Sequence, residues 1–89
     1  MKYAFVFEEA ATKALKKIPQ PDAIALLRAL STLGDDPYAP NPQVKPLKGH
    51  DSLYRIRSGS YRAVYRIEND RLVILVIAVG PRTNVYRRY

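Results

Sequence analysis

Hydrophobic residues recur with two different periods along the chain, and each period predicts a type of secondary structure. Residues 2–7 (KYAFVF) are rich in aromatic and β-branched types and too short for a helix, so they predict a strand. From Glu8 the apolar positions follow the helical spacing i, i+3, i+4 and i+7. These positions are Ala11, Ala14, Leu15 and Ile18. The first helix should end at Pro19, and a second should run from Pro21 until Gly34 closes it as the C′ residue.

The second half of the chain has the composition of β-strands, broken by turn signals. Three strands are predicted, at 53–57, 61–67 and 71–79, with a further edge segment at 84–89 left open. Turns at 58–60 and 68–70 would join the three strands as an antiparallel meander. The run LVILVIAV (72–79) does not alternate, which is typical of a central strand buried on both faces.

A proline-rich segment, residues 35–52, separates the two halves and contains four of the seven prolines. It predicts no regular element, so it is either a functional loop or a support strapped across the sheet. The expected fold is α+β, in the order β-α-α-β-β-β with a possible last strand. An antiparallel sheet would pack against an N-terminal helical hairpin, within a single domain of residues 1–89.

The composition excludes several classes of site. The chain has no cysteine and one histidine, so neither a disulfide framework nor a thiolate metal site is expected, and we expect no cofactor and no metal. The longest apolar run is too short to span a bilayer, and the N-terminal residues lack the pattern of a signal peptide. We therefore expect a cytoplasmic protein without membrane contact.

The net charge of +7 is confined to the second half of the chain. Residues 1–44 carry five Lys/Arg and five Asp/Glu, whereas residues 45–89 carry ten Lys/Arg, eight of them Arg, and three Asp/Glu. Arginine binds phosphate oxygens in a bidentate manner, and the tyrosines interspersed with the arginines are suited to stacking on unpaired bases. The imbalance therefore indicates a polyanionic partner, although a solvated basic surface is the simpler interpretation.

Strand alternation sorts these arginines by face. Arg55 and Arg57 lie opposite to Tyr54 and Ile56 within one strand, and Arg62 and Arg66 share a face of the next. The two sets are cofacial only if the turn between them has an even number of residues or contains a bulge. Arg82 follows the last strand and would enter the same patch. Converging guanidinium groups repel one another unless an anion binds between them, whereas arginines that merely point outward need no ligand.

Four short motifs occur in an order and spacing that resembles the RelE-type toxins of bacterial toxin–antitoxin modules. They are PLKG at 46–49, LYRIR at 53–57, GxYRxxY at 59–65 and VGPRxxVY at 79–86. The resemblance implies a RelE-like fold and a metal-independent endoribonuclease that enters the ribosomal A site and cuts messenger RNA there. The 2′-hydroxyl would attack the adjacent phosphodiester and leave a 2′,3′-cyclic phosphate and a 5′-hydroxyl.

The resemblance also implies roles for individual residues. Arg62 and Arg82 would bind the scissile phosphate and stabilise its developing charge, and Tyr86 would stack on a base or transfer a proton. The flanking RNA would be held by Arg55, Arg57, Lys45 and Lys48. Relatives often have Lys on the strand that bears Arg57, and a guanidinium stays protonated, which makes Arg57 a poor general base. Candidates for the base are therefore Tyr86, His50 or a group supplied by the ribosome.

The partners implied by the resemblance are messenger RNA, the ribosomal A site with its 16S rRNA, and an acidic antitoxin similar to RelB. Operator DNA would be contacted only indirectly, through the antitoxin. Two alternatives stay open at this point. The related ParE-type toxins act on DNA gyrase with the same scaffold, and a catalytically weak member would act only within an antitoxin–repressor complex.

Overall fold

The computed structural model describes residues 2–47, 49 and 52–81. Within them, seven elements follow one another along the chain. They are β1 (Ala4–Phe7), α1 (Glu9–Lys17), α2 (Gln20–Ser31), β2 (Val44–Pro46), β3 (Leu53–Ser58), β4 (Tyr61–Glu68) and β5 (Val73–Pro81). Two helices and a five-stranded sheet confirm the predicted α+β class. The edge strand considered at 84–89 lies outside the described residues.

Prolines set the boundaries between the two helices. Ile18, the residue before Pro19, is extended at ψ 142°, which ends α1, and Pro21 lies in the first turn of α2. The prediction for Gly34 is wrong: α2 ends at Ser31 with Thr32 as its C-cap, and Gly34 does not adopt a positive φ. Hydroxyls explain the earlier end, because Ser31 and Thr32 each donate a 2.6 Å hydrogen bond to a carbonyl of the last helical turn.

The sheet is mixed, with the strand order β1-β5-β4-β3-β2. The pairs β3–β4 and β4–β5 are antiparallel as predicted, and the pair β2–β3, which the sequence does not predict, is antiparallel too. β1, however, pairs with β5 in parallel, with Phe5 opposite Ile74. The prediction of a wholly antiparallel sheet is therefore wrong. A short turn forces two strands to run antiparallel, and no short turn joins β1 to β5.

The proline-rich segment contains a strand that its sequence does not predict. Residues Val44–Pro46 form β2, which pairs with β3 at the edge of the sheet. Pro46 is tolerated because an edge strand has one unpaired side. At the other end of the segment, Asn69 donates a 2.7 Å hydrogen bond to the Tyr38 hydroxyl and accepts one of 2.8 Å from the Tyr3 hydroxyl. The described part of the segment is thus attached to the rest of the fold at Tyr38 and at β2, which agrees with the interpretation as a support.

The two faces of the sheet differ in what covers them. Both helices pack on one side, which we call the covered face, and the core there includes fully buried Leu26 of α2, Ile56 of β3 and Ile74 of β5. A second apolar cluster lies on the opposite side and includes Leu53, Val64 and Ile77 but no helical residue. β5 is therefore buried on both faces, as its continuous apolar sequence predicts.

Candidate nucleic-acid interface

The β3–β4 hairpin brings two arginines directly opposite one another. Its turn is the two-residue loop Gly59–Ser60, because Ser58 pairs with Tyr61. Gly59 adopts a φ of +60°, and glycine is favoured at such a first turn position because it has no Cβ to clash. With an even loop, Arg57 pairs with Arg62, and directly opposed side chains point to the same face of the sheet. The turn predicted at 58–60 is shorter by one residue, because Ser58 belongs to β3, and the even loop meets the condition under which these arginines are cofacial.

Among the described residues, five cations share the face that the helices leave free, and we call it the basic face. They are Lys45, Arg55, Arg57, Arg62 and Arg66. The strand pairing places Lys45 of β2 opposite Arg55 of β3, so the unexpected strand β2 adds its lysine to the patch. The acidic residue Glu68 of β4 is engaged by the nearby Arg71, outside this group. The basic face thus presents several cations whose charge is available to an anionic ligand.

An irregularity in β5 supplies an apolar floor beneath these cations. Between Val64 and Tyr65 the pairing of β4 with β5 skips Ile77, which is a β-bulge. The bulge lets Ile77 and Ala78 both join the apolar cluster of the basic face, although they are consecutive. Val64 is fully buried and Ile77 is 7% exposed. The bulge thus shifts by one residue which positions of β5 face each side of the sheet.

Arg62 is buried, with 6% of its surface exposed. Its Nη1 donates to the backbone carbonyls of Gly59 at 3.4 Å and Tyr61 at 3.3 Å. Across residues 2–47, 49 and 52–81, neither ion pair that the structure contains involves Arg62. A charged group removed from water is normally compensated by an opposite charge. Arg62 therefore forms a site where an anion would be strongly stabilised.

Arg57 is exposed but held in place. Its Nε donates a 3.0 Å hydrogen bond to Oε1 of Gln43, and its backbone N–H donates a 3.1 Å hydrogen bond to the Gln43 carbonyl. A guanidinium has five donors in all, and within residues 2–47, 49 and 52–81 the two terminal NH₂ groups of Arg57 make no hydrogen bond. Arg57 can thus bind phosphate oxygens without giving up its contact with Gln43.

The tyrosines of the hairpin lie on the other side of the sheet. Tyr54 and Tyr65 stack on the covered face with ring centroids 5.7 Å apart, and Tyr61 also packs against the core there. Burial, and secondarily the neighbouring Tyr54 hydroxyl, raise the pKa of Tyr65 above its ordinary value. The expectation that these interspersed tyrosines stack on bases is therefore wrong for Tyr54, Tyr61 and Tyr65, because strand alternation turns them toward the helices.

The predicted site residues divide into two groups. The structure brings Arg55, Arg57, Arg62 and Lys45 onto one face. The other predicted residues lie outside the described residues: Lys48, His50, Arg82 and Tyr86. Their roles stay predictions.

Two residues of the basic face are absent from the sequence-derived site. Arg66 shares the face of Arg62 and is exposed, and the alternation of β4 is sufficient to find it. Gln43 contacts Arg57 across 14 positions of sequence, and no local signal indicates this contact because it depends on the pairing of β2. The described part of the chain contains no cluster of three or more His, Cys, Asp or Glu side chains.

The chemistry that this arrangement can perform is electrostatic. Guanidinium groups do not lose their protons near neutral pH, so Arg57 and Arg62 can bind and stabilise a phosphate but cannot remove a proton from it. A nucleic acid or another phosphate-bearing polymer matches the basic face in charge. None of the helices that the structure describes is long and apolar enough to cross a membrane.

Comparison with known proteins decides the family. The family model described as the ParE toxin of the type II toxin–antitoxin system parDE matches residues 5–86. The chain belongs to the RelE/ParE superfamily of type II toxins. Within it, the chain is similar to Toxin RelG of Mycobacterium tuberculosis, with 30% identity over 99% of this chain and 100% of the relative. It is 31% identical to the mRNA interferase toxin RelE of Escherichia coli, over 92% of this chain and 85% of the relative.

Solved structures of RelE toxins share the fold. The archaeal RelE–RelB complex from Pyrococcus horikoshii superposes with a TM-score of 0.78 at 28% identity, covering 94% of this chain and 99% of that one. The isolated Escherichia coli RelE toxin gives the same TM-score and identity and covers 97% of this chain and 93% of that one. The predicted membership of the RelE-type toxins is thereby confirmed.

Proposed function

We propose that this toxin is an mRNA interferase that cuts messenger RNA in the ribosomal A site, with residues 1–89 acting as one domain in the cytoplasm. The single observation that supports this proposal best is the buried Arg62, which lies opposite Arg57 and has no carboxylate partner within the described residues. The similarity to the Escherichia coli protein named mRNA interferase toxin RelE favours RNA as the phosphate-bearing ligand.

The proposed reaction is an intramolecular phosphoryl transfer within the RNA. The 2′-oxygen forms a bond to the adjacent phosphorus while the bond from phosphorus to the 5′-oxygen breaks. A general base accepts the 2′-hydroxyl proton, and the departing 5′-oxygen acquires a proton. The products are a 2′,3′-cyclic phosphate and a 5′-hydroxyl, and the mechanism that we propose needs no metal.

Positively charged side chains have two proposed roles in this reaction. Arg62, together with Arg82, stabilises the negative charge that develops on the phosphate oxygens in the transition state. Arg55, Arg57, Lys45 and Lys48 hold the flanking RNA. Tyr86 stacks on a base or transfers a proton, and His50 is the other side chain that we assign as a candidate base.

An antitoxin is the proposed second partner. Structures similar to this chain include RelE–RelB complexes from Pyrococcus horikoshii and Escherichia coli. We propose that an acidic RelB-like antitoxin neutralises this toxin by covering the basic face, because acidic side chains complement its charge. Operator DNA would be reached only through the antitoxin.

Expression in cells tests the function. Wild-type protein should stop growth and reduce incorporation of labelled amino acids before that of labelled thymidine, because translation fails first. Arg62→Ala should relieve the arrest, and Arg82→Ala should do the same while antitoxin binding is retained. Arg28→Ala is the matched control, since Arg28 is exposed on α2 away from the basic face, and it should stay toxic.

A second candidate function is inhibition of DNA gyrase, which the ParE description of the matching family model favours. In that case thymidine incorporation should fall first, messages should stay intact, and Arg62→Ala should retain toxicity. Arg62, which has no carboxylate partner among the described residues, argues for the nuclease, because an inhibitor that acts by protein contact needs no phosphate site.

A further inference from the structure

Arg57 reaches toward the edge of the sheet and away from its cross-strand neighbour. β3 lies between β4, which carries Arg62, and β2, which follows Gln43. Because the Arg57 Nε donates to Gln43 at 3.0 Å, the guanidinium is held on the β2 side. Two like charges directly opposite each other in antiparallel strands repel, since their Cα atoms are roughly 4.5–5.5 Å apart. The contact with Gln43 gives Arg57 a fixed position that lessens this repulsion.

Gln43 is itself fixed by the chain around it. Its backbone N–H donates a 2.9 Å hydrogen bond to Oδ1 of Asn41. The residue between them is Pro42, whose ring fixes its own φ. The Asn41 side chain also donates a 3.4 Å hydrogen bond to the hydroxyl of Thr32 at the end of α2. A connected series of hydrogen bonds therefore runs from the C-cap of α2 to the guanidinium of Arg57.

The hydrogen bond from Arg57 to Gln43 orients the guanidinium for binding a phosphate. Because Gln43 binds Nε, the edge of the guanidinium formed by its two terminal NH₂ groups is directed away from this contact. That edge can bind two phosphate oxygens side by side. A guanidinium whose orientation is set beforehand loses less conformational entropy when it binds. Exposed arginine side chains without such an acceptor must lose this freedom when they bind the ligand.

We propose that Gln43 is a positioning residue for Arg57: it holds Nε so that the terminal NH₂ groups of Arg57 bind an RNA phosphate beside the one bound by Arg62. The role of Gln43 rests on the proposed function, because it assigns RNA as the ligand. Gln43 touches no RNA in this scheme and acts only through Arg57.

Binding of a short fluorescein-labelled oligouridine, followed by fluorescence anisotropy, tests the proposal without requiring cleavage. Gln43→Ala should weaken binding about fivefold, because the Arg57 side chain must then lose its conformational freedom when it binds RNA. In an Arg57→Ala background the same substitution should have no further effect, because the group that Gln43 positions is absent. Gln20→Ala changes the chain's other glutamine, which is exposed at the start of α2, and should bind like wild type.

The Nε–H signal of Arg57 in NMR spectra reports directly whether Gln43 holds the guanidinium of Arg57. It should exchange slowly with water in the wild type and in Gln43→Glu, which keeps the acceptor oxygen, and quickly in Gln43→Ala. Equal exchange in Gln43→Ala and the wild type would overturn the proposal, as would equal weakening by Gln43→Ala with and without Arg57. If both signatures are present but messenger RNA is never cut, the nuclease assignment fails and the positioning of Arg57 stands.

Discussion

The covered face and the basic face are built from alternate residues of the same strands, yet they have opposite chemical character. On β3 and β4 the covered face contributes Ile56, Ala63 and Tyr65, all fully buried beneath the helices. The basic face contributes Arg57 and Arg62 from positions directly adjacent to these residues. The covered face therefore contributes only core residues, whereas the basic face combines a smaller apolar cluster with the cations, so substitutions of the core and of the arginines should have separable effects.

The largest effect is expected for Arg62→Ala. We expect the rate of messenger RNA cleavage to fall by about a hundredfold to a thousandfold, as when one donor to a transition-state oxyanion is removed. The free energy of unfolding should change by less than about 1 kcal/mol, because the substitution also removes a like charge opposite Arg57. Single-turnover cleavage on translating ribosomes and urea unfolding measure the two quantities. If Arg62→Ala lost activity only because the variant unfolds, the separate roles of the covered face and the basic face would be contradicted.

The next largest effect is expected for Leu26→Ala, on the covered side. Leu26 is fully buried against the sheet, so its truncation should destabilise the fold by about 3 kcal/mol. Leu27→Ala is a matched control one position along α2, where the side chain is 41% exposed, and it should cost less than about 1 kcal/mol. Urea denaturation followed by circular dichroism compares them. Equal costs for the two variants would contradict the assigned core.

A smaller effect is expected from the outlying cations of the basic face. Arg55→Ala should weaken oligouridine binding and make the log–log dependence on salt less steep, by roughly 0.7 for each phosphate that the variant no longer neutralises. Lys45→Ala should behave in the same way because Lys45 lies opposite Arg55. Titrations at several salt concentrations measure the slope. An unchanged slope in both variants would exclude these residues from the RNA path, and Arg28→Ala serves again as the control.

The smallest effect is expected for Tyr65→Phe. The Tyr65 hydroxyl is buried and has no hydrogen-bond partner in the described part of the chain, so its removal should stabilise the fold by about 1 kcal/mol or less near neutral pH. Folding raises the pKa of Tyr65. The protonated hydroxyl is therefore favoured by folding, and the free energy of unfolding does not depend on this group below the pKa of an unfolded tyrosine, about 10. As the pH rises above that value, the free energy of unfolding falls. Urea titrations across this range should show a steeper decline for wild type than for Tyr65→Phe, and parallel curves would contradict the burial of the hydroxyl.

Local sequence patterns predict most of the fold. Helical spacing locates α1 and α2, and turn residues locate the β3–β4 hairpin. The two-residue length of its loop, which makes Arg57 and Arg62 cofacial, is set by the pairing of Ser58 with Tyr61 and is not predicted from the sequence. The parallel pairing of β1 with β5 and the strand β2 are not predictable in this way. Both depend on hydrogen bonds between segments distant in sequence, and prolines in the region of β2 suppress the usual strand signal.

For the described part of the candidate site, sequence patterns indicate which cations share a face of one strand but not the environment of each cation. Alternation places Arg55 and Arg57 on one face of β3, and Arg62 and Arg66 on one face of β4. The register in the structure shows that the two faces coincide. That Arg62 is buried and that Gln43 holds Arg57 are consequences of tertiary packing, which no residue pattern encodes. Such environments decide which cations of a basic surface bind specifically.

The measurement that tests the central claim most directly is the mapping of messenger RNA ends in a translating extract. With wild-type protein we expect new 5′-hydroxyl ends within codons that occupy the ribosomal A site, and only while translation proceeds. With Arg62→Ala these ends should be absent or at least about a hundredfold rarer. Intact messages in a translating extract that contains folded wild-type toxin would contradict the account.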